Sequence, residues 1–128
     1  MVTLERLLYT SRETDLMGTL SLFNLLNHAR QNNTQRGITG HLVYRDGEFM
    51  QCIEGSPDAI EHLWQSLQKD PRHHAVQIIS RGPTEKRHFS DWSMAFSSYR
   101  YLNSFNMPGF FPLNEEGSNE HVLSCKGA

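Results

Sequence analysis

"RGITGHLVYRDGEFMQCIEGSPDAI", residues 36–60, carries two runs of strand-like residues on either side of Asp46-Gly47. Asp-Gly is favoured where a two-residue hairpin turn needs positive φ, so the stretch reads as two antiparallel strands joined by a tight turn. After Gly55, Ser56-Pro57-Asp58 supplies an N-cap, a proline at the first helical position and a first-turn carboxylate, which together open a helix. Within the second strand Gln51 shares a face with Phe49 and Ile53, while Met50 and Cys52 point the other way. A carboxamide on an apolar face must find partners for one carbonyl and two N–H donors, since leaving them unmade costs about 1–3 kcal/mol.

Upstream of the hairpin, "LERLLYTS" (4–11) alternates enough to form a first strand, with Leu7 and Tyr9 on one face and Leu4 and Leu8 on the other. "DLMGTLSLFNLLNHARQNN" (15–33) places Leu22, Leu25, Leu26 and Ala29 at the spacing of a helix with one buried stripe, ending near Asn33. Downstream, Ile60, Leu63, Trp64 and Leu67 form the stripe of a second helix, which Asp70-Pro71 stops. "AVQIIS" (75–80) and "WSMAF" (92–96) supply two more strands. The order β-α-β-β-α-β-β predicts an α+β, ferredoxin-like fold: a mixed five-stranded sheet with both helices on one face. The spacing assigns residues 1–98 to this domain. Residues 99–128, rich in Asn, Gly, Ser and Pro, form a C-terminal tail expected to pack on the sheet or to mediate output.

Composition narrows the function classes. A chain of 128 residues, 38% hydrophobic and 20% charged with net charge -2, describes an ordinary soluble single-domain protein. Its 12 Lys and Arg residues form no cluster, which argues against nucleic acid as a partner. Cys52 and Cys125 make no C-x-x-C unit and read as reduced thiols, implying a cytoplasmic location. The N-terminal segment has neither a secretory signal nor a membrane span, so no membrane partner is expected. Seven histidines include adjacent His73 and His74, but no zinc-type ligand spacing completes a metal site.

In the inferred topology the first and third strands are central neighbours, so Tyr9 and Gln51 point to the helix-bearing side, where a phenol meets an amide. Asn33, four residues after Ala29, continues the buried stripe of helix one, with Asn32 beside it. A pocket walled by leucines of both helices, Leu25 and Leu67 among them, with one phenol and two or three carboxamides, suits a flat heteroaromatic ligand with carbonyl and imide edges. Taken singly, each residue also has a plain structural reading. Tyr9 serves as a sheet tyrosine, Gln51 as an edge polar residue, Asn33 as a helix C-terminal residue, and the leucines, Trp92 and Met94 as core.

"LLYTS", "NNTQRGITGHLVY", "GEFMQCIEGSPDAI", "QKDPRHHAVQI" and "FSDWSMAF", in this order and spacing, resemble the BLUF family of blue-light sensors using FAD over roughly residues 3 to 97. The resemblance implies a flavin, FAD with FMN as the alternative, held between the two helices. It implies Tyr9 as the electron and proton donor to the excited flavin and Gln51 as the bridge that light reorients or tautomerises. Asn33 is then the residue at the carbonyl and imide edge, with Asn32, Asp70 and His73 as further polar contacts, and Trp92 and Met94 relay the change to the sheet. Ser66 departs from relatives that carry a long cationic donor there. The function implied is a blue-light photoreceptor, a switch and not an enzyme, signalling to a downstream protein in trans or to a homo-oligomer. The alternative is a ferredoxin-like ligand-binding regulatory module without photochemistry.

Overall fold

A computed structural model describes residues 3–15, 19–91 and 93–97. The element order is β1 (Leu4–Glu13), α1 (Thr19–Arg36), β2 (Thr39–Arg45), β3 (Glu48–Gly55), α2 (Pro57–Lys69), β4 (His73–Thr84) and β5 (Ala95–Ser97). The sheet runs β4-β1-β3-β2-β5, with β1 antiparallel to both β3 and β4, β2 antiparallel to β3, and β5 parallel to β2. This is the ferredoxin-like α+β arrangement expected from the sequence.

Local chemistry fixes the element ends. Asp46 and Gly47 both take positive φ, 50° and 81°, so the β2–β3 turn is the primed hairpin that Asp-Gly predicts. Ser56 caps α2 by accepting a hydrogen bond from the Ala59 N–H at 3.2 Å. Helix α1 runs three residues beyond the expected Asn33, because Gly37 at φ 68° lets the Ile38 N–H return to the Asn33 carbonyl at 2.9 Å.

Strand β4 is twice as long as "AVQIIS" suggested, with 12 residues. Its Gly82-Pro83 reads as a breaker in sequence, but β4 is an edge strand and tolerates a proline that donates nothing outward. Strand β5 is shorter than expected and begins at Ala95, so Met94 belongs to the connection before it and not to the strand. Trp92 and the tail 99–128 lie outside the described residues.

The main core lies between sheet and helices. Leu7, Ile53, Leu42 and Phe96 of the sheet meet Leu22 and Leu26 of α1 and Ile60 and Trp64 of α2. On the opposite sheet face Leu8, Cys52 and Phe89 pack together with Met50. Cys52 is disulfide-bonded, which corrects its reading as a reduced thiol; the chain's other cysteine, Cys125, lies outside the described residues. The thiol reading rested on the wide sequence separation of the two cysteines and the absence of a C-x-x-C unit, neither of which excludes a disulfide. Near Cys52, Glu54 is fully buried and accepts hydrogen bonds from Thr39 Oγ1 at 3.0 Å and from the backbone N–H groups of His88 and Phe89 at 2.6 and 3.0 Å. A strand carboxylate thus fixes the loop that leads from β4 towards β5.

Candidate functional site

One cavity of about 190 Å³ opens between α1, α2 and the sheet. Its walls are Leu25 and Ala29 from α1 and Leu63 and Leu67 from α2; its floor is Tyr9, Leu42, Phe49 and Gln51. The wall residues are only half-buried although they continue each helix's apolar stripe, because they face this space and not solid core. Asn32, Asn33, Asp70 and His73 line it as well. Eight positions singled out from sequence, namely Tyr9, Leu25, Asn32, Asn33, Gln51, Leu67, Asp70 and His73, therefore surround one space. Met94 adjoins it through Gln51.

Tyr9 on β1 and Gln51 on β3 are direct cross-strand partners. Both are buried, and the Tyr9 hydroxyl donates to Gln51 Oε1. The Tyr9 ring packs edge-on against Trp64 of α2, with centroids 5.7 Å apart. Burial first, and the charge of Asp70 second, push the Tyr9 phenol far above its ordinary pKa, so it stays a neutral donor. With its oxygen occupied, Gln51 turns its Nε2 group to the Met94 sulfur at 3.6 Å, a weak acceptor.

Asn33 is 1% exposed, and its Nδ2 donates to the Ser93 carbonyl at 2.7 Å, leaving its oxygen and a second N–H to serve the cavity. Asn32 is exposed at the rim. His73 joins two elements: its Nε2 lies 2.7 Å from the Leu67 carbonyl and its Nδ1 lies 2.8 Å from Ser11 Oγ. A carbonyl only accepts, so Nε2 carries the hydrogen, and in the neutral ring Nδ1 accepts from the serine. Asp70 ends α2 and grips Arg72 through the Arg72 backbone N–H and guanidinium at 2.6–3.0 Å, and these bonds hold its carboxyl below the ordinary range.

Three residues carry chemistry that the sequence pattern did not single out. His28 lines the cavity one helical turn before Asn32, and that spacing could have found it. Arg72 brings a guanidinium to the cavity that Ser66 also lines, so a cation is present although the helix position lacks one. Arg30 of α1 donates from Nε to the Met94 carbonyl at 2.9 Å, a contact between distant segments that no local pattern announces. The donor set fits a flavin ring: apolar walls at helix spacing, with a phenol and an amide on the sheet floor and two amides on α1.

The model of the family described as sensors of blue light using FAD matches residues 4–95. Photoactivated adenylate cyclase subunit beta of Euglena gracilis is 34% identical over 104 residues, 80% of this chain but 12% of that protein. The chain thus spans about an eighth of the length of that curated relative. Among solved structures, the dark state of BlrB, a BLUF protein, superposes with a TM-score of 0.73 at 33% identity, covering 80% of this chain and 77% of that one. BlrP1 of Klebsiella pneumoniae, solved with FMN and cyclic diGMP, gives 0.75 at 28% identity, covering 95% of this chain and 30% of that one.

Proposed function

Because the chain belongs to the BLUF family, sensors of blue light using FAD, we propose that the cavity between α1 and α2 holds the flavin ring and that Tyr9 and Gln51 are its photochemical pair. The observation that carries this reading is the hydrogen bond from the Tyr9 hydroxyl to Gln51 Oε1 on the cavity floor. Bound there, the flavin supplies blue-light absorption and a strong photo-oxidant. Everything else is the work of the chain. Leu25, Ala29, Leu63 and Leu67 exclude water and stack on the ring faces. Asn33, with Asn32 at the rim, meets the carbonyl and imide edge, and Asp70, Arg72 and His73 order the α2 end of the site.

Tyr9 enters the reaction neutral, its proton already directed at Gln51 Oε1. Oxidation of the phenol by the photoexcited flavin would make that proton strongly acidic, and Gln51 Oε1 stands where it would be received. Gln51 would then rearrange, by rotation or tautomerisation, which would free its Nε2 from the weak Met94 sulfur contact to donate into the cavity. When the electron and proton return to Tyr9, the new amide arrangement persists until thermal recovery. No bond to the ligand is made, and no substrate is consumed.

The domain is a sensor, and we assign it no turnover chemistry of its own. Residues 1–98 would be the flavin-binding unit and 99–128 the segment that packs on the sheet or carries output. The receiver would be a separate protein or a second copy of the chain. No helix among the described residues is long and apolar enough to cross a membrane. The cytoplasmic location proposed from composition stands beside a disulfide-bonded Cys52, a state that reducing compartments disfavour. The deciding experiment is the absorption spectrum of the purified protein. A structured flavin band that moves reversibly to longer wavelength under blue light is expected, and irreversible bleaching or an unchanged band refutes the proposal.

A further inference from the structure

We infer that Arg30 is a positioning residue for this photochemistry: by holding the Met94 carbonyl it keeps the Met94 sulfur against Gln51 and so fixes the dark orientation of the amide. The inference rests on the light-sensing reading of the cavity. Ser93 and Met94 precede the β2–β5 ladder, which begins with His41 paired to Ala95. Their carbonyls are met instead by two side chains of one helix face, Asn33 Nδ2 to Ser93 O at 2.7 Å and Arg30 Nε to Met94 O at 2.9 Å. Met94 itself is fully buried.

Three contacts follow in sequence. Arg30 holds the Met94 backbone, the Met94 sulfur faces Gln51 Nε2 at 3.6 Å, and Gln51 Oε1 accepts from Tyr9. The middle link is the weak one, since a thioether is a poor acceptor. It cannot by itself keep a flexible methionine in place. The backbone anchor can, because a guanidinium bond to a carbonyl is charge-assisted and directional. Without it, the methionine can leave the amide, and both orientations of Gln51 become populated in the dark.

The test uses the flavin-loaded full chain and the variants Arg30→Met, which keeps the apolar stem, and Arg30→Lys, which keeps a cationic donor. A dark mixture near one to one would cut the light-induced band displacement to about half and move the dark band towards its lit position. We expect that change in Arg30→Met, with recovery of most of the displacement in Arg30→Lys. Should Arg30→Met not yield folded, flavin-loaded protein, Arg30→Leu, which likewise has no donor, takes its place with the same expectation. Wild-type displacement and dark band position in the Met or Leu variant overturns the inference. So does an equal loss in Arg30→Lys, which would mean that packing and not donation matters. A wild-type protein that shows no displacement defeats the light-sensing reading and this inference together, whereas normal wild-type switching with unaffected variants defeats this inference alone.

Discussion

The side chains proposed for the photochemistry break the pattern around them. Tyr9, Asn33 and Gln51 are polar groups on apolar faces, which marks them in the amino-acid sequence, but each alone also reads as an ordinary structural residue and their roles come from the family resemblance. Tyr9→Phe should retain flavin, because the ring's shape and its edge contact with Trp64 survive. It should abolish the reversible shift, because the donor to Gln51 is gone. Flavin absorption before and after illumination checks both halves. Tyr9 also makes a pH prediction. Its folded pKa lies above the ordinary 10.0 through burial and the Asp70 charge. Above about pH 10 the unfolded chain therefore releases a proton that the folded chain keeps, and stability falls as pH rises from there. Urea midpoints should drop more between about pH 8 and about pH 11 in the wild type than in Tyr9→Phe. Asn33→Ala removes an amide from a buried site, at a cost on the order of 1 kcal/mol and about fivefold in flavin affinity. Flavin retained on dilution measures that loss.

At the scale of elements, the strands and helices were legible where local chemistry dictates them: the Asp46-Gly47 hairpin, the Ser56 cap and the helical stripes. What stayed hidden were contacts between segments far apart in sequence. Arg30 with Met94 is one, and Glu54 with the 88–89 backbone is the other. Nothing in "CIEG" announces that the glutamate is the fully buried anchor of a loop some 34 residues later. Glu54 also lies 3.9 Å from the Nε of buried Arg6, so Glu54→Gln both turns an amide donor towards backbone N–H groups and leaves a guanidinium without its carboxylate. A loss of about 3 kcal/mol is expected, read as a lower urea midpoint with an unchanged slope. Gly40 is a third hidden constraint. A Cβ there would stand 2.2 Å from the Cys52 carbonyl oxygen on the neighbouring strand, a backbone atom that cannot move without opening the β2–β3 ladder. Gly40→Ala should cost at least about 1–3 kcal/mol, visible in the same denaturation experiment.

At the scale of the whole molecule, the question is how a rearranged amide leaves the domain. Gln51 touches Met94, Met94 leads directly into β5, and among the described residues β5 is a three-residue edge strand paired with β2. Short edge strands have few contacts to lose, so their opening free energies lie at the low end of a fold's range. This makes β5 the element that a small change at Gln51 can bias, and through it the tail, 99–128, which we propose as the route of output. If light weakens the Gln51 contact with Met94, the strand's docked state loses part of its support. A loss of about 1.4 kcal/mol would raise the population of its open state tenfold. Hydrogen exchange over residues 95–112 should therefore be faster under blue light than in the dark, while exchange in the central strands β1 and β3 stays the same. Gln51→Leu, which has no amide to rearrange, should show equal rates in light and dark across the same residues. Equal rates in the wild type would refute this route and direct the search to the β4 edge, on the opposite side of the sheet.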